Sequence, residues 1–305
     1  MTVDKFIVCA PPYMNGSAGV IVLHELCDAL IKLGYEAYIL IMSHTSEGWD
    51  FHCSNNEKLF NPMLSRKIAD ENNSERIINE ILDDGFCIYP EVVQGNPLNA
   101  KNVVRYFLYH DGRITGENSN YRDDDFIVSY SPIYIKNSNF ILFKPIVDDA
   151  MSDIDAPDFS KRTLDLTYFG KGINYANCFL IGKSVELTKD WPSSKSQLAN
   201  LLKNVRYLYT WDNHSSISVD ALYCGARPVL IQKNQFYHDK SDTSFIKYPP
   251  HLWLEINNGV GSIENPFDFE SKRLEYIKYI EFHKSQWVSR VEEFVNSVKI
   301  HFLMR

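Results

Sequence analysis

The start of the chain constrains the fold more than any other stretch. Residues 6–10, FIVCA, are an unbroken apolar run ending in Pro11 and Pro12, after which the loop MNGSAG leads into VIVLHELCDALIKLG. Val20, Leu23, Leu26, Cys27, Leu30 and Ile31 then recur at helical spacing, Gly34 closes the segment, and a second apolar run, YEAYILIM, begins at once. Strand, glycine-bearing turn, helix, glycine stop and strand make a βαβ unit. Its crossover favours a parallel sheet with ligands at the carboxyl ends of the strands.

The rest of the chain repeats that grammar. GFCIYPE (85–91), VVRYFLYHD (103–111) and DDFIVSYSP (124–132) read as buried strands, and NNSERIINEIL has helical spacing. At 305 residues there is room for two domains of ordinary size. A first Rossmann-like domain is expected over 1–145, and the Asp-, Pro- and Ser-rich segment KPIVDDAMSDIDAPDFSKR supplies a linker over 146–162. The pattern restarts with LDLTYF (164–169), continues through SKSQLANLLKN, VRYLYTW, SISVDALYCG and RPVLIQK, and gives a second Rossmann-like domain over 163–280. The segment 281–305 reads as an amphipathic helix, with Trp287, Val291, Phe294, Val295, Val298 and Phe302 three or four residues apart. Two uses fit that stripe: packing back on the protein, or a peripheral membrane contact assisted by Lys299 and Arg305.

Charge and cysteine usage narrow the class. A net charge of −8 argues against a nucleic-acid partner, because backbone binding is chiefly phosphate neutralisation by concentrated Lys and Arg. It leaves room for a local basic pocket. The six cysteines are dispersed, form no CxxC pair and mostly lie among apolar neighbours, as in a reduced protein. The start MTVDKFIVCAPP lacks the features of a signal peptide, and no apolar run approaches the ~18 residues of a membrane span. The expected compartment is the cytoplasm, with peripheral placement at the inner face of the membrane as the variant the last helix allows.

The stretch WDNHSSISVDALYCGARPVLI (211–231) carries the chemistry. A strand delivers Trp211 and Asp212 to its carboxyl end, and the turn Asn213, His214, Ser215, Ser216 opens a helix whose first amides lack intrahelical partners. Such a terminus attracts phosphate, through its free N–H groups, its dipole and the serine hydroxyls. Asp220 lies one turn beyond Ser216, where a carboxylate can accept hydrogen bonds from a vicinal diol such as a ribose. Diphosphate and ribose together describe a nucleotide. The plain alternative is that Ser215 only caps the helix and Asp220 only favours its first turn.

The segment V-D-A-L-Y-C-G-A-R-P-V (219–229) resembles the E-A-x-x-x-G-x-P-V signature of GT-B-fold glycosyltransferases, particularly bacterial enzymes of lipopolysaccharide, O-antigen or capsule synthesis. In many retaining members two glutamates stand at the interval of Asp212 and Asp220, the first near the transferred sugar and the second on the nucleotide ribose. Here both are aspartates, and the turn between them is Asn213–Ser216 where the family usually has glycines. The loop Gly16–Gly19 resembles the family's glycine loop after the first strand, and YFGKG (168–172) resembles the first strand and loop of its nucleotide domain. The resemblance implies an α/β GT-B fold, two Rossmann-like domains facing across a cleft, with the donor on the C-terminal one and the acceptor on the N-terminal one.

The resemblance and the placement of charged residues at strand ends together suggest a division of labour. Gly16, Gly19, Lys171, Lys183, Asn213, His214, Ser215, Ser216 and Asp220 are the expected donor-binding residues, and His110, Asp111 and Asp212 the expected catalytic ones. Lys171 and Lys183 each follow a glycine near a strand end and would relieve charge on the departing diphosphate, so no metal or other cofactor is expected. YRDDDF (Asp123, Asp124, Asp125) reads as a solvated loop rather than an isolated DxD. If the enzyme inverts, Asp111 is the candidate base; if it retains, the diphosphate itself can take the acceptor proton. The implied partners are a nucleotide-sugar donor, with UDP favoured, and a saccharide or lipid-linked saccharide acceptor. A protein that binds nucleotide sugars without turnover is the other class.

Overall fold

The computed structural model describes residues 4–46, 48–52, 74–170, 183–188, 190–212, 215–230, 254–255 and 266–304. The chain divides into two units, Met1–Pro145 with His283–Arg305, and Ile146–Phe282. Both are built on a mainly parallel sheet flanked by helices, which makes each Rossmann-like.

In the first unit, β1 (Lys5–Ala10), α1 (Ala18–Lys32) and β2 (Glu36–Thr45) form the βαβ unit read from the sequence. Five of the six β1 residues are buried, which is why FIVCA is uninterrupted: a central parallel strand is covered on both faces. Gly34 (φ +89°) stops α1 in the left-handed region, and the Tyr35 amide reaches back to the Leu30 carbonyl at 3.0 Å, so the chain turns directly into β2. There follow β3 (Gly48–His52), α2 (Ser74–Asp84), β4 (Phe86–Pro90), β5 (Asn102–Phe107), β6 (Phe126–Ser129) and the two-residue β7 (Phe140–Ile141). The sheet order is β3-β2-β1-β4-β5-β6-β7, parallel except for β3, which folds back antiparallel on β2.

One polar cluster corrects the sequence reading. Arg105, in the middle of β5, is wholly buried, with Nη1 donating to the Val93 carbonyl at 2.7 Å and Nη2 to that of Gly95 at 2.5 Å. Its counter-charge is Asp125, whose Oδ2 lies 3.6 Å from Nη2. The end of YRDDDF is therefore not solvated: Asp125 is buried because a guanidinium inside an apolar sheet demands a partner.

The second unit contains β8 (Leu164–Tyr168), β9 (Val185–Glu186), α3 (Lys195–Leu202), β10 (Val205–Thr210), α4 (Ser216–Tyr223), β11 (Arg227–Leu230), β12 (Leu254–Glu255) and α5 (Pro266–Ser285), of which residues up to Phe282 belong to this unit. Its order is β12-β11-β10-β8-β9, and every pairing is parallel. The segment expected to be a linker is part of this unit. Arg162 donates to the carbonyls of Pro157, Val205 and Cys224 at 3.1 Å each, Met151 is buried with its sulfur 3.8 Å from that of Cys224, and Asp153 pairs with Arg273 of α5 at 2.7 Å.

The last helix, α6 (Trp287–Leu303), belongs to the first unit. Trp287, Val291, Phe294, Val295 and Val298 are buried; Phe294 packs on Phe126 and Phe140, and Phe302 on Phe86. At roughly 1.5–3 kcal/mol per buried large apolar side chain, this stripe is a substantial part of that unit's core. Lys299 pairs with Asp4 at 2.7 Å, so the apolar face and one of the two cations invoked for membrane contact are engaged within the protein, while Arg305 lies outside the described residues. Among the described residues, no helix is long and apolar enough to cross a membrane.

Candidate nucleotide site at the carboxyl edge of the second sheet

Strand order locates the place to look. β8 pairs with β9 on one side and β10 on the other, so β8 and β10 flank the point where the strand order reverses, which is where open parallel sheets bind ligands. Phe169 and Trp211, the residues just after these strands, stack at 5.0 Å and fasten the two ends together. Gly170 and Asp212 come next. Gly170 has φ +51°, and a Cβ there would lie 2.5 Å from Asp212 Oδ2 and from Tyr168 Cε1. Only glycine lets the backbone pass so close to this carboxylate.

Asp212 is itself buried, and its amide is held by Thr210 Oγ1 at 2.9 Å. Tyr168 faces the same corner: burial and then the Asp212 charge push its phenol up, against a hydrogen bond with the Ser215 side chain. Ser215 is the N-cap of α4, its Oγ accepting from the Ile217 amide at 3.4 Å, and Ser216 is the first residue of the helix. The serine turn thus presents the amino end of a helix at the sheet's carboxyl edge, as an anion site needs.

Asp220 lies one turn further along α4 and is 1% exposed. Its Oδ2 accepts from Lys195 Nζ at 2.9 Å. Its Oδ1 is buried with no hydrogen-bond partner among the described residues. Burial pushes the carboxyl up from its ordinary range, Lys195 opposes this, and the Asp148 charge adds to the upward push. A carboxylate this buried with an open lone pair is poised to accept a hydrogen bond from a ligand.

The expected residues therefore fall into groups. Asp212, Ser215, Ser216 and Asp220 all belong to the β10–α4 segment at this edge, whereas Lys171, Asn213 and His214 lie outside the described residues. Lys183 is exposed and precedes Ser184, whose Oγ is 2.6 Å from Thr167 Oγ1 on β8; no ion pair is formed by Lys183 among the described residues. In the first unit, Gly16 sits in the β1–α1 turn and Gly19 in the first turn of α1, where a Cβ would touch Leu108 at 3.6 Å. His110 follows β5 and packs edge-on against Tyr109 and Tyr134 at 5.2 and 5.1 Å. Asp111 Oδ1 accepts from the Ser119 amide at 2.8 Å, so one oxygen of the candidate base already braces its own loop.

Lys195 escaped the sequence reading, and Tyr168 and Gly170 entered it only as part of the YFGKG stretch, without roles of their own. Lys195 had one signal, its place directly after Ser194, which caps α3 through a 3.2 Å bond from the Gln197 amide. A helix start there puts the lysine at the same sheet edge as the start of α4.

No family model and no curated protein matches this chain. Among solved structures it is similar to an α-glucosyltransferase in complex with UDP, at 12% identity and a TM-score of 0.45, covering 97% of this chain and 96% of that one. The same figures hold for an α-glucosyltransferase with UDP and a 13-mer DNA containing a central A:G mismatch. A spinosyn rhamnosyltransferase complexed with thymidine diphosphate is similar at 8% identity and a TM-score of 0.36, covering 98% and 96% of the two chains. The expectation of no nucleic-acid partner is corrected by the DNA complexes among these structures. Net charge is a sum over the whole chain and does not govern a local surface.

Proposed function

We propose that this chain is a glycosyltransferase whose second unit holds a nucleotide-sugar donor, a UDP-sugar by preference. The observation that carries the reading is Asp220: a buried carboxylate with an open oxygen, one turn into a helix whose capped amino end lies at the switch point of a parallel sheet. The diphosphate would lie at the start of α4, its charge met by amides and by the Ser215 hydroxyl, and the ribose at Asp220. Among the described residues there is no group of three or more His, Cys, Asp or Glu that could hold a metal. On this reading the residues that relieve the leaving group's charge are helix amides and lysines.

In the transfer, the bond between the sugar's anomeric carbon and the diphosphate oxygen breaks, and a bond from an acceptor hydroxyl oxygen to that carbon forms. The electron pair leaves with the diphosphate, and the acceptor proton passes to a carboxylate or to a phosphate oxygen. Asp212, held against Gly170, is assigned to the transferred sugar. The acceptor is assigned to the first unit, at the strand ends carrying Gly16–Gly19 and His110–Asp111, and its proposed class is a saccharide or lipid-linked saccharide of bacterial surface polysaccharide.

The test is a donor screen on the purified full chain. UDP, GDP, TDP and CMP are compared by melting temperature, since a ligand that binds only the folded state at about 100 times its Kd stabilises it by ~2.7 kcal/mol. Sugar release and transfer are then followed with saccharide acceptors and with duplex DNA. A shift with UDP and transfer to saccharide supports the reading. Transfer to DNA replaces the acceptor, and no shift with any nucleotide removes the donor site.

A further inference from the structure

Among the described residues of the second unit, Lys195 is the cation that the structure brings to the candidate ribose carboxylate. It opens α3, and its Nζ lies 2.9 Å from Asp220 Oδ2. The pair is lopsided: the side chain of Asp220 is 1% exposed and that of Lys195 is 31% exposed. Asp220 Oδ1 is the remaining acceptor, and no second partner of the Lys195 ammonium occurs among the described residues. An ammonium has three donors and no acceptor; an ionised carboxylate accepts and does not donate. An open acceptor thus stands beside open donors.

We propose that Lys195 and Asp220 form a mixed clamp for a vicinal diol, one hydroxyl donating to Asp220 Oδ1 and its neighbour accepting from Lys195 Nζ. The inference rests on the reading of this edge as a nucleotide site and adds the residue that makes it selective for ribose. A carboxylate free at both oxygens could take both hydroxyls of a ribose; Asp220 has surrendered one oxygen to Lys195, so the second hydroxyl must find the lysine. A hydroxyl can both donate and accept, which suits it to either partner. Oδ1 is covered in the protein as described, so a diol reaches it only with side-chain movement. Lys195, on a flexible four-carbon stem and partly exposed, can shift with the ligand while staying in reach. Lys195 also opposes the burial that would otherwise favour the protonated carboxyl.

The experiment is calorimetric binding of UDP, 2′-deoxy-UDP and 3′-deoxy-UDP to the full chain and to Lys195→Met, Lys195→Arg, Asp220→Asn and the double variant Lys195→Met/Asp220→Asn. The wild-type protein should prefer UDP over each deoxy analogue by about tenfold, the usual scale of one charge-assisted hydrogen bond. Lys195→Met should lose the preference at one ribose position and keep it at the other, Asp220→Asn, whose neutral amide oxygen is a weaker acceptor, should reduce it at the other position, and Lys195→Arg should recover part of what Lys195→Met loses. The double variant removes both charges together, so it stays interpretable if a lone buried charge unfolds either single variant; it should show no preference at the lysine's position and a reduced one at the carboxylate's. Full preference at both positions in folded Lys195→Met overturns the clamp and leaves Asp220 as a ribose ligand by itself. A wild-type protein that binds no UDP, or binds all three nucleotides equally, overturns the ribose reading and the clamp together.

Discussion

The two sheets end in carboxylates, and they use them in opposite ways. In the first unit, Glu91 accepts from the Leu108 amide at 3.0 Å, Asp111 from the Ser119 amide at 2.8 Å, and Asp125 from Arg122 while facing Arg105. Each of these acids ties down a neighbouring loop. In the second unit, Asp220 is as deeply buried yet keeps one oxygen open, and Asp212 is pressed against a glycine with no room for a methyl group. Burial alone does not separate architecture from chemistry. What marks Asp220 out is that one of its buried oxygens has no hydrogen-bond partner among the described residues.

The largest effect should come from breaking the finished side of this comparison. Asp125→Ala leaves the Arg105 guanidinium buried without its counter-charge, and the expected loss is roughly 3–5 kcal/mol of folding stability, read by urea denaturation. If the variant loses under ~1 kcal/mol, the first unit's carboxylates are not structural in the sense argued. Asp220→Ala should invert the pattern: UDP binding weaker by roughly 1.5–3 kcal/mol, because a charge-assisted bond to the ligand is lost. Equal UDP affinity in the folded variant would put Asp220 in the same class as Asp125.

Gly170→Ala sharpens the comparison at a finer scale. Its Cβ would meet Asp212 at 2.5 Å in a left-handed backbone, so we expect a loss of roughly 1–2 kcal/mol in stability, together with reduced turnover. Alanine behaving as wild type in melting and in transfer assays would show that Asp212 need not be held there.

The smallest effect is a pH dependence. Asp220's folded value is raised above the ordinary 3.8 by burial, so its ionised form burdens the fold at neutral pH and the burden vanishes below 3.8, where folded and unfolded chains both hold the proton. Asp220→Asn should therefore gain stability relative to wild type at pH 7, and the gain should shrink as pH falls through the carboxylate range. A difference that grows on acidification would mean Lys195 outweighs burial.

Much of this was legible before any coordinates. β1, β2, β4, β5, β6, β8, β10 and β11 announce themselves as apolar runs because parallel strands are covered on both faces, α6 does so by a single stripe, and α1 by apolar residues buried around most of its circumference. β3, β7, β9 and β12 do not. Three of them are two residues long, and β3 is an antiparallel edge whose Trp49, Asp50 and Phe51 alternate too briefly to register. The serine turn and Asp220 were readable from capping chemistry and a family-like spacing. Lys195 was not, because a contact from the first turn of α3 to the second turn of α4 exists only once both helices lean on the same sheet. Asp125 had a signal that went unused: Arg105 in the middle of VVRYF cannot be buried alone.

The place of α6 has a consequence for biosynthesis. The first sheet's hydrophobic side chains Phe86, Phe126 and Phe140 are covered by residues 294 and 302. A ribosome must therefore finish the whole second unit before the first can close over its own interior. Until then the nascent amino-terminal sheet carries an uncovered aromatic face, a site for chaperones to hold. The second unit is one continuous stretch, residues 146–282, and nothing in its connectivity obliges it to wait for the last helix. On this layout the unit made second is the first whose chain is complete.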